Sequence, residues 1–269
     1  MIKRFDLFDK GIETVNHDWF HIMAATYQLP REAAKDLRET GFTVMAGPIV
    51  QDEFARIVAA YDSAVLSAHP NDVSVGRSTI RVNDFVNRGP DFDQFYVYPP
   101  SLAACCNIIG QPFKLSTMHA RTVEPHSPAQ ALHIDFTGDA DGWPMVGFII
   151  MVDDFRIENG ATRFVPGSHL SSHNPGHLLR DQTADYEGQM AACGPAGSIV
   201  IYNGSVWHGH GANLTSQPRR SIQGAYIRRE VPPAVDQAAR IRHDTMSRIG
   251  DLAKYLLDLE PGEPGVMPT

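Results

Sequence analysis

The chain lacks several things. No stretch of 18 consecutive apolar residues occurs in its 269 residues, so no membrane-crossing helix is expected. Basic residues are outnumbered, 23 Lys and Arg against 31 Asp and Glu, for a formal net charge of -8; a nucleic-acid partner, which asks for a basic face, is not expected. Cysteine is scarce. Cys105, Cys106 and Cys193 are the only three, and two of them are neighbours, a poor basis for a disulfide framework and a pattern suited to the reducing cytoplasm. The opening MIKRFDLFDKG alternates charge with aromatics and has no secretion-signal apolar stretch. No internal repeat and no obvious linker divide the chain, so one domain over 1–269 is expected. Nothing in the sequence fixes oligomeric state; a homodimer is compatible with it.

A hydrophobic content of 43% is enough for a substantial core. Residues 30–40 read as a helix with Pro30 in the first turn and Gly41 at the stop. GFTVMAGPIV reads as a strand, and 51–68 as a helix with Phe54, Ile57, Val58, Tyr61, Val65 and Leu66 at helical spacing. A third helix fits 100–109, closed by Gly110. From about 112 the period changes to two. FKLSTMHARTV, QALHIDF, MVGFIIMVDDF, ATRFVPG, GSIVIYNG and SIQGAYIRREV are strand-like runs separated by Gly, Pro, Asp and Asn. Strands without alternating helices argue for an antiparallel sandwich or barrel. The expected layout is a helical support over 1–111, a β core over 112–230 and a helix over 233–258, with EPGEPGVMPT fraying at the end.

Histidine is abundant, twelve in all and most of them between 119 and 210. In QALHIDF, His133 and Asp135 stand two apart, hence on one face of a strand, with Cβ atoms roughly 6.5–7 Å apart and able to share one ion. His-x-Asp alone is a weak signal. Candidates for a third ligand are His169, His173, His177, His208 and His210. The loop positions of the first three favour hydrogen bonding or solvation. His208 and His210 follow a strand, and Gly209 and Gly211 let that backbone approach an ion closely. Two histidines and one carboxylate leave coordination positions open, the arrangement of non-haem Fe(II) oxygenases rather than of structural zinc. A 2-oxo acid chelating such an ion needs a bidentate cation for its far carboxylate, a task for arginine. Arg219 and Arg220 open the last strand, and their parity sends one inward and one outward.

The segments QALHIDF, ENGATRFVPGSHL and GPAGSIVIYNGSVWHGHGANLTSQPRR, in that order and spacing, resemble the phytanoyl-CoA dioxygenase (PhyH) family of Fe(II)/2-oxoglutarate oxygenases. ETGFTVMAGPIVQDEFARI is similar to the family's opening helix, strand and helix, so the resemblance covers nearly the whole chain. It implies a mainly β fold with flanking helices, the double-stranded β-helix or jelly roll. It implies Fe(II) held by His133, Asp135 and His208, with His210 at a position usually small or polar. Arg219, eleven residues after His208, matches the arginine that pairs with 2-oxoglutarate, and Gln130 and Thr162 stand where relatives contact that co-substrate. In a regular strand Gln130 would face away from His133. The implied reaction consumes O2 and 2-oxoglutarate, releases succinate and CO2, and oxidises a small-molecule substrate, by hydroxylation first of all, in specialised metabolism. Halogenating relatives replace the aspartate by a small residue, so Asp135 argues against chlorination.

Expected pocket walls are 70–98, 137–144 and 170–190, the first rich in aromatics and suited to an apolar or ring-bearing substrate. Arg81, Arg121 and Arg163 each have a place as a substrate-carboxylate partner, with an ion pair in the sheet as the commoner role; Trp143 and Trp207 fit core packing equally well. The basic residues do not cluster along the chain as a coenzyme-A phosphate site asks. The alternatives are a jelly-roll isomerase or hydrolase with zinc or manganese on the same triad, which has no need of Arg219, and an iron/2-oxoglutarate sensor without turnover.

Overall fold

The computed structural model describes residues 14–259. The readings made for MIKRFDLFDKG and for EPGEPGVMPT fall outside these described residues. Within them the chain forms ten strands: β1 (Phe42–Ala46), β2 (Val73–Val75), β3 (Thr79–Val82), β4 (Phe113–Val123), β5 (Met145–Met151), β6 (Thr162–Phe164), β7 (Met190–Ala191), β8 (Ser198–Asn203), β9 (His208–His210) and β10 (Arg219–Arg228). They build two antiparallel sheets, the larger in the order β1-β8-β5-β10-β4-β3-β2 and the smaller β7-β6-β9. This is the jelly-roll architecture.

The centre of the larger sheet is buried on both faces, which is why β5 reads MVGFIIM without a polar break. Val146, Phe148 and Ile150 point to the helices, where they join Leu102, Ala103 and Ala104 of α4 (Pro99–Ile108) in one core. Ile149 and Met151 point the other way, into the roll, and meet Phe155, Phe164, Val200 and Tyr202 in a second core. The period of two therefore sorts each strand between two interiors rather than between core and water.

Three other helices complete the support: α1 (Thr14–Thr26), α2 (Arg31–Glu39) and α3 (Phe54–Leu66). Pro30 is the N-cap of α2, just before its first turn, and Gly41 stops it in the left-handed region, φ 88°, with its amide donating to the Asp36 carbonyl. On α3 the buried face is Ile57, Tyr61 and Ala64, while Leu66 is exposed.

Two expectations change. The tail is not one helix over 233–258 but three short ones, Gln237–Arg240, His243–Arg248 and Asp251–Leu256. The backbone is extended at Arg242 and again at Ile249 and Gly250. In a continuous helix residues 240 and 242 would point about 200° apart. The breaks let Arg240, Arg242 and Arg248 all reach the 72–93 segment and pair with Asp72, Asp84 and Asp93. Met246 is correspondingly exposed rather than part of one apolar face. The aromatics of 70–98 do not form a pocket wall either. Phe85, Phe92, Phe95 and Tyr96 are fully enclosed in the helix-side core. Among the described residues no helix is long and apolar enough to cross a membrane.

Candidate metal centre

QALHIDF is extended but is not a ladder strand. It runs beside β9 and makes one bridge, His133 with His208, through amide-to-carbonyl bonds of 3.0 and 2.9 Å. The Gln130 amide adds a bond to the His210 carbonyl at 3.0 Å. Gly209 lies between these contacts, and a Cβ there would meet the Gln130 and Ala131 carbonyl oxygens at 3.1 Å. The glycine thus serves the close approach of two backbones rather than an ion directly. Beyond His133 the Asp135 and Phe136 amides both donate to the Gly204 carbonyl.

This pairing brings His133, Asp135 and His208 together, with one ligand atom of each lying within 4.8 Å of the others. Nε2 of His133 is 3.5 Å from Asp135 Oδ1, and Nε2 of His208 is 3.5 Å from Oδ2. Two donors bonded to one ion at about 2.1 Å, at an angle of about 110°, would be separated by about 3.4 Å. The set fits a single ion. Both histidines use Nδ1 on a backbone carbonyl, Ala131 at 3.0 Å and Val206 at 2.9 Å. A carbonyl only accepts, so Nδ1 carries the proton and each Nε2 lone pair is left for a ligand role. Burial lowers the pKa of His208 to about 4, against the opposing pull of Asp135, so its imidazole is neutral near pH 7.

Tyr202, which sequence reasoning missed, is part of this centre. Its hydroxyl donates to Asp135 Oδ2 at 2.8 Å. Its ring fits because β5 has Gly147 opposite it, where a Cβ would meet the ring at 2.2 Å. The signal was a glycine inside an otherwise continuous apolar strand. Burial alone would raise the Asp135 pKa; the attraction of His208 and hydrogen bonds with His133 and Tyr202 outweigh it and hold the carboxyl well below its usual range.

His210 is outside the cluster. Its Nε2 meets Ser78 Oγ at 3.0 Å and its Nδ1 the Gly211 carbonyl at 2.8 Å. His169 is buried beside Trp143 and approaches the Arg38 carbonyl at 3.3 Å, a loop-packing role. Trp143 and Trp207 donate to the His169 and His173 carbonyls.

A cavity of about 210 Å³ opens from the cluster. Gln130 and Thr162 line it with His119, Arg121, Tyr202 and Gln223. The orientation of Gln130 departs from the regular-strand expectation because its segment is irregular; its Oε1 accepts from Arg121 Nη2 at 3.0 Å. From 70–98 only Arg81 lines the cavity, and neither 137–144 nor 170–190 contributes. Arg163 is no cavity residue. Its buried guanidinium donates to the carbonyls of Gln130, Gln182, Thr183 and Ala184, tying the 182–184 loop to the metal-proximal segment.

Arg219 and Arg220 part as their parity requires. Arg220 turns outward to Asp153 and Asp62. Arg219 turns inward, is fully buried and stacks on Phe155 at 3.9 Å. None of its three guanidinium nitrogens has a hydrogen-bond partner among the described residues, and it is enclosed rather than cavity-lining. An enclosed cation without a counter-ion is an arrangement that a bound anion completes.

Fold and cluster define the class: a double-stranded β-helix with two histidines and a carboxylate converging on one face. The chain belongs to the phytanoyl-CoA dioxygenase (PhyH) family, whose model matches residues 37–221. The multifunctional dioxygenase prhA of Penicillium brasilianum is 30% identical over 216 residues, 73% of this chain and 71% of that protein. The dioxygenase cdmA of Talaromyces verruculosus is 38% identical over a shorter stretch of 110 residues, 37% of this chain and 35% of that protein. Among solved structures, HygX from Streptomyces hygroscopicus, crystallised with nickel and 2-oxoglutarate, superposes with a TM-score of 0.63 at 19% identity, covering 77% of this chain and 90% of that one. The epimerase SnoN, in complex with Fe3+, alpha ketoglutarate and nogalamycin RO, gives 0.60 at 21% identity, covering 73% and 82%. At such identities the likeness is one of fold.

Proposed function

We propose that the protein is an Fe(II)/2-oxoglutarate-dependent dioxygenase that hydroxylates a small molecule of specialised metabolism and releases succinate and CO2. The observation that carries this reading is the pairing of two features: the three converging ligand atoms and, eleven residues on from His208, an enclosed arginine with no hydrogen-bond partner among the described residues. A zinc isomerase or hydrolase on the same triad has no use for the second. Family membership and the dioxygenase relatives support it.

His133 and His208 would hold the ion through Nε2 and Asp135 through its carboxylate. Iron with 2-oxoglutarate and O2 supplies the oxidising power that no side chain has. The protein's own part is placement. The Ala131 and Val206 carbonyls fix the histidine tautomers, and Tyr202 holds the carboxylate in orientation. Arg219 would grip the far carboxylate of the co-substrate, with Gln130 and Thr162 along its course. The volume of about 210 Å³ is below that of sites enclosing a drug-sized ligand, roughly 300–1,000 Å³. It suits the co-substrate and the reacting end of a substrate whose remainder lies across the mouth.

The test is anaerobic addition of Fe(II) and 2-oxoglutarate, followed by admission of O2 with candidate substrates. The expected results are a visible charge-transfer band requiring both additions, substrate-dependent succinate, and a product heavier by one oxygen atom. Absence of the band overturns the co-substrate assignment. A band without succinate under any substrate makes the protein a sensor, and a product of unchanged mass removes the hydroxylase assignment.

A further inference from the structure

The extended segment that carries His133 has a strand on one side only among the described residues, β9. His133 spends its amide and carbonyl on that side, in the bridge to His208. The amide and carbonyl of Leu132 are turned the other way, where a ladder neighbour would meet them. Gln182 stands there instead. The Leu132 amide donates to the Gln182 carbonyl at 2.8 Å, and Nε2 of the Gln182 side chain donates to the Leu132 carbonyl at 2.8 Å. One residue thus supplies both halves of a ladder pair, with its side-chain amide in place of a main-chain N–H. These bonds hold both peptide units that flank Leu132. Each unit is planar, so fixing its N–H fixes its C=O. The first unit carries the Ala131 carbonyl, the acceptor for Nδ1 of His133 at 3.0 Å. The second carries the His133 amide, which donates to the His208 carbonyl.

The segment around Gln182 is built to hold this position. Residues 179–189 form neither helix nor strand, and of their side chains only Leu179, Gln182, Tyr186 and Gln189 are partly buried. Leu179 and Tyr186 pack on Leu132, Val165 and Trp207. Tyr186 meets the Trp207 ring edge-on at 5.9 Å. The residue before each of the two converging histidines, Leu132 before His133 and Trp207 before His208, is therefore covered by this one segment. Gln189 Oε1 accepts from the Tyr186 amide and from Arg163, which also grips the carbonyls of Gln182 to Ala184. We infer that Gln182 is a positioning residue for His133, and that 179–189 is the outer wall of the metal centre. The inference rests on the metal assignment in the dioxygenase reading. Gln182 does not line the cavity. It acts through the peptide units of Leu132, which set the Ala131 carbonyl and with it the tautomer and aim of the His133 ring. Losing an outer partner of a metal-binding histidine costs roughly 10–100-fold in metal affinity.

The test titrates the metal-free full chain with Co(II). It reads the calorimetric Kd and, at saturation, the visible d–d spectrum, which reports ligand geometry. Gln182→Met keeps the length of the side chain and removes the donor. Its Kd should rise by about tenfold or more, and its spectrum should differ from wild type even at full occupancy. Gln182→Glu keeps the shape but sets an acceptor against the Leu132 carbonyl, so it should weaken Co(II) at least as much as the methionine does. Asp185→Asn is the control within the same segment. Asp185 is 93% exposed and touches Gln189 and Arg163 rather than Leu132, so this variant should keep the Kd within about threefold and the wild-type spectrum. A Gln182→Met protein that melts lower yet binds Co(II) with the wild-type Kd and spectrum overturns the inference, because the segment then serves only the fold. A glutamate variant indistinguishable from wild type overturns it too. Equal losses in Asp185→Asn and Gln182→Met would assign the effect to the segment as a whole and remove Gln182 from its role. In all three cases wild type still binds Co(II), so the metal assignment stands. If wild type takes up no Co(II), that assignment falls and this inference falls with it.

Discussion

Arginine does opposite things in two regions of this molecule. Where the 72–93 segment meets the C-terminal helices, four arginines each meet an acid. Arg88 and Arg240 share Asp72, Arg242 takes Asp84, and Arg248 grips Asp93 through two bonds. Asn87 closes the set by donating to Asp84 at 2.7 Å. Inside the roll, Arg81, Arg121 and Arg219 form no ion pair among the described residues, and Asp135 and Asp153 act on Arg121 and Arg219 only from beyond pairing distance. A satisfied ionic cluster fixes one chain segment against another and has nothing left to offer. An unsatisfied one holds free energy in reserve that a ligand of the right charge releases. The clasp serves the fold, and the lining serves binding.

The sharpest way to break this comparison is to remove a ligand from the lining and ask whether the fold notices. His208→Ala should weaken Fe(II) binding by more than about 100-fold, exceeding the usual effect of losing a supporting residue around a metal. The melting temperature of the metal-free protein should hardly move. His210→Ala, two residues on, should leave the affinity within about threefold, because His210 is bonded to Ser78 and Gly211 instead. Calorimetric titration of the two variants checks both. A reversed result would move the distal ligand to His210.

The clasp should give the opposite pattern. Asp72→Ala strands Arg88, whose side chain is only 8% exposed, and should lower stability by about 3 kcal/mol. For a chain of this size that is a fall in Tm of roughly 6–12 °C. Iron affinity of the folded protein should be unchanged. Denaturant unfolding and metal titration on the same preparation test the two halves. Equal loss of both would mean that the clasp and the site are mechanically coupled.

Arg219→Met attacks the lining where removal of a charge should help the fold. The enclosed guanidinium has no partner to strand, and methionine keeps an apolar chain against Phe155. The ligand-free variant should gain about 1 kcal/mol or more, while the 2-oxoglutarate concentration needed for the charge-transfer band rises by roughly 10–100-fold. A destabilised variant with normal 2-oxoglutarate binding would place Arg219 with the clasp residues instead.

The sequence carried the parts of this contrast that depend on local spacing. His133 and Asp135 two apart, His208 after a strand, and the opposite parity of Arg219 and Arg220 are all readable from a period of two. What depended on register was hidden. Arg81 and Arg121 are forty residues apart and meet only because β3 and β4 pair at that offset, which no single-strand pattern specifies. Tyr202 reaches Asp135 only because Gly147 faces it across β5 and β8. QALHIDF alternates like a strand, yet it pairs at a single bridge, and that irregularity turns Gln130 toward the cavity. The tail reads as one helix because local propensity does not register the three aspartates waiting at 72, 84 and 93.

The smallest effect probes how dry the lining is. His119 is enclosed without a hydrogen-bond partner among the described residues, and burial with two nearby arginines holds its pKa well below the ordinary 6.5. The unfolded chain therefore binds a proton that the folded one refuses, so stability falls as pH drops below about 6.5, by at most about 1.4 kcal/mol per pH unit. Above that value the penalty is absent. His119→Gln keeps a polar side chain that does not titrate. Between pH 7.5 and 5.5 the stability difference should shift against wild type by about 1 kcal/mol, and the subtraction removes the other buried histidines common to both proteins. The clasp offers no matching comparison, since no histidine takes part in its ion pairs. A flat difference would mean that His119 takes up its proton in the folded state. The β4 wall would then be wetter, and its charge better screened, than the enclosure of His119 implies.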